Sequence, residues 1–426
     1  MVKLRQTVIL ILLLVMSELA IAQGTSTNDD SVQKVKKGWN FGPLPAISYN
    51  SDQGFQYGAL CDIFYFGDGS KFPEYIHKFN VEVSRYTKGS GVYHIFYDSK
   101  YLLKGVRATV DVSYLTDKMM DFYGYNGYNA IYDEFKGASY YKIDRRLMRA
   151  TADFQGKFGG NFGWAAGIGY YKYDIGTVKL DKYLGEDNLY EEYVNTGLIN
   201  SDEATGGARV ELKLGVVHDT RNHEADPSHG FWSEAILIGT TDYLKFSLVH
   251  RGYIPVAGEK LTFAYRLAYQ GGLAGEQPFY MMQNLSSLYM SQITNEGLGG
   301  INSLRGVLRN RVVGAGVAWA NLELRYRFWD FKFLGQNWYL ALNPFLDAGR
   351  VVQYYKKADM ETAPLTPHTL SSSSVYKPEK ETLHLSAGLG IKAIMNRNFI
   401  ISAEWGKPFD QRDGKSGLNI GLNFIF

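Results

Sequence analysis

The stretch SGLNIGLNFIF, Ser416 to Phe426, shows the alternation best. Leu418, Ile420, Leu422, Phe424 and Phe426 fall on one side of an extended chain, and Asn419, Gly421 and Asn423 on the other. One side suits lipid and the other suits water. LHLSAGLGIKA, Leu383 to Ala393, repeats the pattern, with Leu383, Leu385, Ala387, Leu389 and Ile391 against His384, Ser386, Gly388, Gly390 and Lys392. A soluble sandwich also alternates, with its apolar side inside, so the pattern alone leaves two all-β architectures open.

Strand number and the sorting of loops separate them. Working outward from these two stretches, the alternation predicts sixteen strands, from Ala46–Ser51 to Leu418–Phe426. The four longest connections, about Thr116–Lys142, Gly176–Ala208, Gly271–Gly316 and Val352–Thr382, all follow odd-numbered strands. Even-numbered strands end mostly in short turns, such as Gly159–Asn161, Ala257–Lys260 and Asn396–Asn398. Long loops on one rim, short turns on the other and an even strand number are the plan of a bacterial outer-membrane barrel. The expected fold is therefore all-β, a 16-stranded antiparallel transmembrane β-barrel over residues 42–426, with both termini in the periplasm.

The rest of the chain agrees. Residues 1–22 carry Lys3 and Arg5, an apolar core from Val8 to Met16, and Ala20-Ile21-Ala22 as a cleavage site, which reads as a secretory signal peptide. That core is short of the about 20 residues a membrane helix needs. Residues 23–41, including GTSTNDDSVQKVKK, read as a flexible periplasmic lead. Aromatic residues make up 15% of the chain and there are 46 glycines, a barrel-like composition. The net charge of +2 gives no footprint for nucleic acid. A single cysteine, Cys61, excludes an internal disulfide and is expected to pack as a small apolar residue.

Candidate functional residues gather in the loop of about residues 271–316. GLGGINSLRGVLRN presents Arg305 among glycines and small polar residues. In AWANLELRYRF, Leu322, Leu324 and Tyr326 face lipid, so Glu323 faces the lumen; in NPFLDAGRVV, Leu346 faces lipid and Asp347 the lumen. Both carboxylates can converge on an in-folded Arg305, whose planar fork suits bidentate pairing. The bland alternatives are an exposed loop residue and a structural pin. The first strand raises a separate point: in FGPLPAISYN, Pro43 and Pro45 lack amide donors and Gly42 adds backbone freedom, so the seam closing the barrel should hold few ladder bonds. Ile47 and Leu422 mark the two sides of that seam. His218 and His223 flank Asp219 and Arg221 in a turn and are expected to be structural rather than metal ligands. The tyrosines of DFYGYNGYNAIY, Asp121 to Tyr132, are expected to be interfacial girdle or loop packing.

With these motifs the sequence resembles the BamA/TamA-type bacterial surface antigen barrels, which assemble or translocate proteins at the outer membrane. Leu304-Arg305-Gly306-Val307 matches three positions of the family's hydrophobic-Arg-Gly-aromatic tetrad, with Val307 replacing the aromatic residue. The family's acidic position after the tetrad falls on Glu323, and its Phe-x-Asp-x-Gly element on Phe345, Asp347 and Gly349. Its Asp-x-Arg-Asp…Pro-x-x-Gly turn appears as Asp219, Arg221, Pro227 and Gly230, with Asn222 for the second acid, and Phe426 resembles the barrel-end insertion signal. The resemblance implies insertion or translocation of outer-membrane proteins; the weak seam between the first and last strands is the expected lateral opening, and neither a cofactor nor enzyme chemistry is expected. It implies outer-membrane lipids, client proteins and periplasmic or outer-membrane partner proteins, the last replacing the polypeptide-transport domains for which the lead has no room. The alternatives are a passive channel or structural barrel, and a barrel enzyme, for which no nucleophile constellation is visible.

Overall fold

The computed structural model describes residues 35–51, 53–72, 74–136, 139–178, 188–288, 296–333, 335–356, 381–397, 399–422 and 424–426. The signal peptide and residues 23–34 of the lead lie outside the described residues. Sixteen strands close into one antiparallel barrel. Strand β1 runs in two pieces, Trp39–Pro45 and Ser48–Asn50, and is followed by β2 Gly54–Tyr65, β3 His77–Tyr86, β4 Gly91–Leu103, β5 Val106–Asp121 and β6 Lys142–Gly159. Then come β7 Phe162–Thr177, β8 Gly206–Asp219, β9 Gly230–Gly239, β10 Tyr243–Ala257 and β11 Leu261–Gly275. The last five are β12 Gly316–Phe333, β13 Gln336–Gln353, β14 His384–Met395, β15 Phe399–Pro408 and β16 Gly417–Leu422.

Alternation explains which side chains meet lipid. On β8, Val210, Leu212, Leu214 and Val216 are all exposed, while Glu211 between them is fully buried in the lumen. Long connections leave one rim, and described parts of three of them meet over the mouth. There Tyr123, Tyr125, Tyr140, Tyr173, Tyr190 and Phe279 join an aromatic core together with helix α1, Leu189–Asn195. The Asn188 side chain caps α1 by accepting the Tyr190 amide at 2.9 Å. The tyrosines of Asp121–Tyr132 thus serve loop packing.

Two boundaries differ from the sequence reading. Strand pairing starts at Trp39, so the lead expected to end at residue 41 gives its last three residues to the barrel. At the other end β16 stops at Leu422, and Phe424 and Phe426, expected to face lipid, are buried in the lumen.

Candidate functional site: the inward loop and the seam

Of the connection between β11 and β12, the described residues 296–315 pass into the lumen. Its tip is a small hairpin closed by the Leu298 and Val312 main chains, which exchange hydrogen bonds at 3.1 Å. Leu298, Leu304, Val307 and Val312 pack on Trp319, Val317 and Val351 of the barrel wall. This apolar contact sets the tip's depth. Gly306, at φ 89°, lies against β15, where a Cβ would sit 2.4 Å from the Gly406 carbonyl carbon. Only glycine lets the two backbones approach so closely.

Arg305 is thereby held at the centre of three carboxylates. Its Nε and Nη2 donate to Asp347 Oδ2 and Oδ1, both at 2.9 Å, and its own amide donates to Oδ2 at 2.9 Å. Nη1 donates to Glu323 Oε1 at 2.5 Å and to Glu404 Oε1 at 2.9 Å. Phe345, two residues before Asp347 on the same face of β13, lies under the guanidinium, 3.6 Å from ring centre to Cζ. Gly349, two residues after, makes room for Leu304, whose Cδ1 would lie 2.9 Å from an added Cβ. Lys392 of β14 donates to Glu404 at 3.0 Å and Arg325 of β12 to Glu323 at 3.0 Å. Three cations thus face three carboxylates in a buried network.

Two more arginines of this loop, which the sequence reading did not single out, reach other walls. Arg309 donates to Asp117 at 2.8 Å and Asp121 at 3.0 Å, both on β5. Arg311 donates to the carbonyls of Gly127, Ala130 and Arg412 at 2.9, 3.1 and 2.9 Å. The loop is braced across the barrel diameter.

The seam is short. Among the described residues β16 meets β1 at two ladder positions, Asn419 opposite Asn50 and Ile420 opposite Tyr49, where β6 and β7 pair from Ile143–Thr177 to Gly159–Phe162. The Ser51 amide adds one bond to the Leu418 carbonyl at 3.1 Å. The reason lies in β1. The Gly38 and Ala46 amides both donate toward β2, to the carbonyls of Gly67 and Gly58. Amides alternate direction along a strand, so positions 39, 41, 43 and 45 point toward the seam, and Pro43 and Pro45 have no N–H to offer there. Continuing the register places Leu422 opposite Ile47, Phe424 opposite Pro45 and Phe426 opposite Pro43. Gly42 faces Asp62 of β2.

Deprived of that ladder, the segment Phe424–Phe426 turns inward. Arg325 donates to the Phe426 carbonyl oxygen at 2.8 Å and lies 3.8 Å over the Phe424 ring. Arg266 of β11 donates to Ile425 O at 3.1 Å and to Asn302 O of the inward loop at 3.0 Å.

The turn after β8 is clamped as its residue types suggest. Arg221 donates to both Asp219 oxygens, at 2.9 and 3.0 Å, and Asn222 Oδ1 accepts the Ser228 and His229 amides at 3.0 and 3.1 Å. Gly230 takes φ 90°, where a Cβ would meet Thr220 O at 2.2 Å, and Pro227 is buried. His218 stacks on Phe162 and His223 Nδ1 accepts the Asp226 amide. No group of potential metal ligands occurs among the described residues. Cys61 is half-buried on β2.

Residues 77–426 match the profile of the Omp85 superfamily domain. Among solved structures, the chain is similar to BamA from Haemophilus ducreyi lacking POTRA domains 1-3, at 18% identity and TM-score 0.54, covering 91% of this chain and 71% of that one. It is also similar to CdiB from Escherichia coli, at 9% identity and TM-score 0.55, covering 91% of this chain and 63% of that one. At these identities the likeness speaks to the fold. No curated protein matches at a significant level.

Proposed function

This chain belongs to the Omp85 superfamily, barrels of outer-membrane assembly or translocation, and from that premise we propose that it inserts or exports polypeptides by opening the seam between β1 and β16. The observation that carries the reading is the two-position ladder at the seam, with prolines where donors are needed. A permanently open edge in lipid is costly, because each unsatisfied backbone group lacks water. A weakly paired edge is nevertheless ready to exchange its ladder for that of an incoming strand, and strand addition needs neither nucleotide nor catalytic residue. The inward loop, locked by Arg305 on Glu323, Asp347 and Glu404, acts as the plug that keeps the lumen closed meanwhile. Clients are outer-membrane or exported proteins, and periplasmic partner proteins present them. The long-loop rim faces outside and the short-turn rim the periplasm. A passive channel fits less well, since the aromatic core of the loops and the inward loop fill the long-loop mouth.

The test is a disulfide between Ile47→Cys and Leu422→Cys, in a Cys61→Ala background, in cells that depend on the protein. The locked barrel should fold, fail to support growth, and recover on reduction. Full growth and normal outer-membrane protein levels with the disulfide formed would replace this reading with the channel.

A further inference from the structure

The turn from Thr220 to His229 does not stay beside its own strands. Its base is rigid, because Arg221 clamps Asp219 and also donates to the Glu224 carbonyl at 3.1 Å, while the Asn222 side chain closes the far side. From this platform two carboxylates leave in different directions. Glu224 accepts from Arg107 of β5 at 2.8 Å, with Lys100 of β4 at 3.9 Å. Arg107 is itself fixed by Asp98 at 2.8 and 2.7 Å. Asp226 accepts from the Tyr339 hydroxyl of β13 at 2.5 Å and from Arg397 Nε, in the turn after β14, at 3.2 Å. Arg397 Nη2 also donates to the Asp226 carbonyl at 3.0 Å.

In a ring of sixteen strands β5 and β13 stand on opposite walls. A connection rooted on β8 and β9 that bonds to both lies across the mouth on the short-turn rim. Hairpin turns need only about 2–5 residues, so this length is not required to reverse the chain. Above the bar is a cavity of about 770 Å³, lined among others by Arg107, Gln155, Glu224, Ala225 and Phe424. The latches are unequal. Side-chain exposure is 55% at Glu224 and 29% at Arg107, against 13% at Asp226. An ion pair that wet holds weakly, as a movable part requires.

We propose that this turn is a gate across the short-turn mouth, a crossbar rooted on β8 and β9 and latched by Glu224 and Asp226, which swings clear to admit an extended polypeptide to the lumen. The gate is independent of the seam. It governs access to the lumen whether a chain then leaves sideways or not, and its test needs no client.

A reporter, Gln155→Cys, is placed in the cavity wall of the full chain with Cys61→Ala, and the folded protein is treated with N-ethylmaleimide or with a bulky polyethylene-glycol maleimide. Adding Glu224→Gln and Asp226→Asn should speed the bulky reagent by about tenfold, the shift expected for about 1.4 kcal/mol of latch contacts. The small reagent should change little. A cysteine at Phe135, 90% exposed on the other rim, serves as the reference and should react unchanged. Equal bulky-reagent rates with and without the substitutions would overturn the gate, and so would equal acceleration of both reagents, which marks a loosened barrel. Should the double substitution not fold, Glu224→Gln alone, at the half-exposed end, carries the same comparison.

Discussion

Removing the guanidinium at residue 305 tests the plug most directly. Arg305→Ala deletes every side-chain bond to Asp347, Glu323 and Glu404. Arg325 still serves Glu323 and Lys392 still serves Glu404, so the uncompensated charge falls on Asp347, left with the Asn321 side chain at 2.7 Å and the residue 305 amide. Breaking a buried pair costs about 3–5 kcal/mol, and the lower end applies beside a wet cavity. Because each 1.4 kcal/mol is tenfold, about 3 kcal/mol raises the open fraction of the loop roughly 100-fold. Trypsin reads this at Arg309 and Arg311, both buried while the loop is seated, and cleavage tracks the open population when reclosing is fast. The barrel itself should keep its fold. Adding Asp347→Asn removes the orphaned charge and should recover part of the protection. Cleavage of the loop that rises less than about fivefold, under about 1 kcal/mol, would refute the idea that Arg305 holds it.

Gly406→Val should release the same loop with Arg305 intact, since a Cβ there would lie 2.6 Å from the Arg305 carbonyl oxygen, at an overpacking cost of about 1–3 kcal/mol. Unchanged trypsin resistance would mean that the two backbones are not in register contact. The crossbar should respond to acid. Burial raises the Glu224 pKa, but the Arg107 and Lys100 charges outweigh it and hold the carboxyl at about 2. A depressed folded pKa means that the contact contributes fully above the ordinary value near 4.5 and is lost as pH falls toward 2. The fluorescence of an environment-sensitive dye on Ala225→Cys, in the crossbar, should change through that window, and Glu224→Gln should remove the dependence. A flat trace from the unsubstituted protein would exclude Glu224 from the latch.

The period-two pattern made every strand legible, because lipid on one side and a polar lumen on the other enforce alternation along each strand. The same logic placed Glu323 and Asp347 in the lumen. It had the means to place Glu404 too, which shares a face of β15 with Ser402 and Gly406. Arg309 was out of reach, because its partners Asp117 and Asp121 belong to the far wall and no local pattern in a loop says which wall it meets. The segment Phe424–Phe426 failed for a different reason. Phe424 and Phe426 continue the apolar side of β16, with Ile425 breaking the polar one, yet whether the segment joins the sheet depends on the donors of another strand, at Pro43 and Pro45.

That dependence can be reversed. Pro43→Val with Pro45→Val restores two amides on the seam edge of β1, opposite Phe426 and Phe424 in the continued register. Each ladder bond is worth about 0.5–1.5 kcal/mol, and the two aromatic rings gain a lipid face, so the segment should leave the lumen and extend β16. Its departure takes the Phe424 ring from Arg325 and the Ile425 carbonyl from Arg266, and these arginines also hold Glu323 of β12, a partner of Arg305, and Asn302 of the inward loop. The seam should therefore tighten while the plug loosens. Hydrogen exchange reports the first through new amide protection at residues 424–426, and loop proteolysis reports the second. Activity should fall, because a complete ladder no longer yields to an incoming strand. If the segment stays buried against Arg325 with both prolines gone, the missing donors are not what turns it inward, and the weakness of the seam needs another cause.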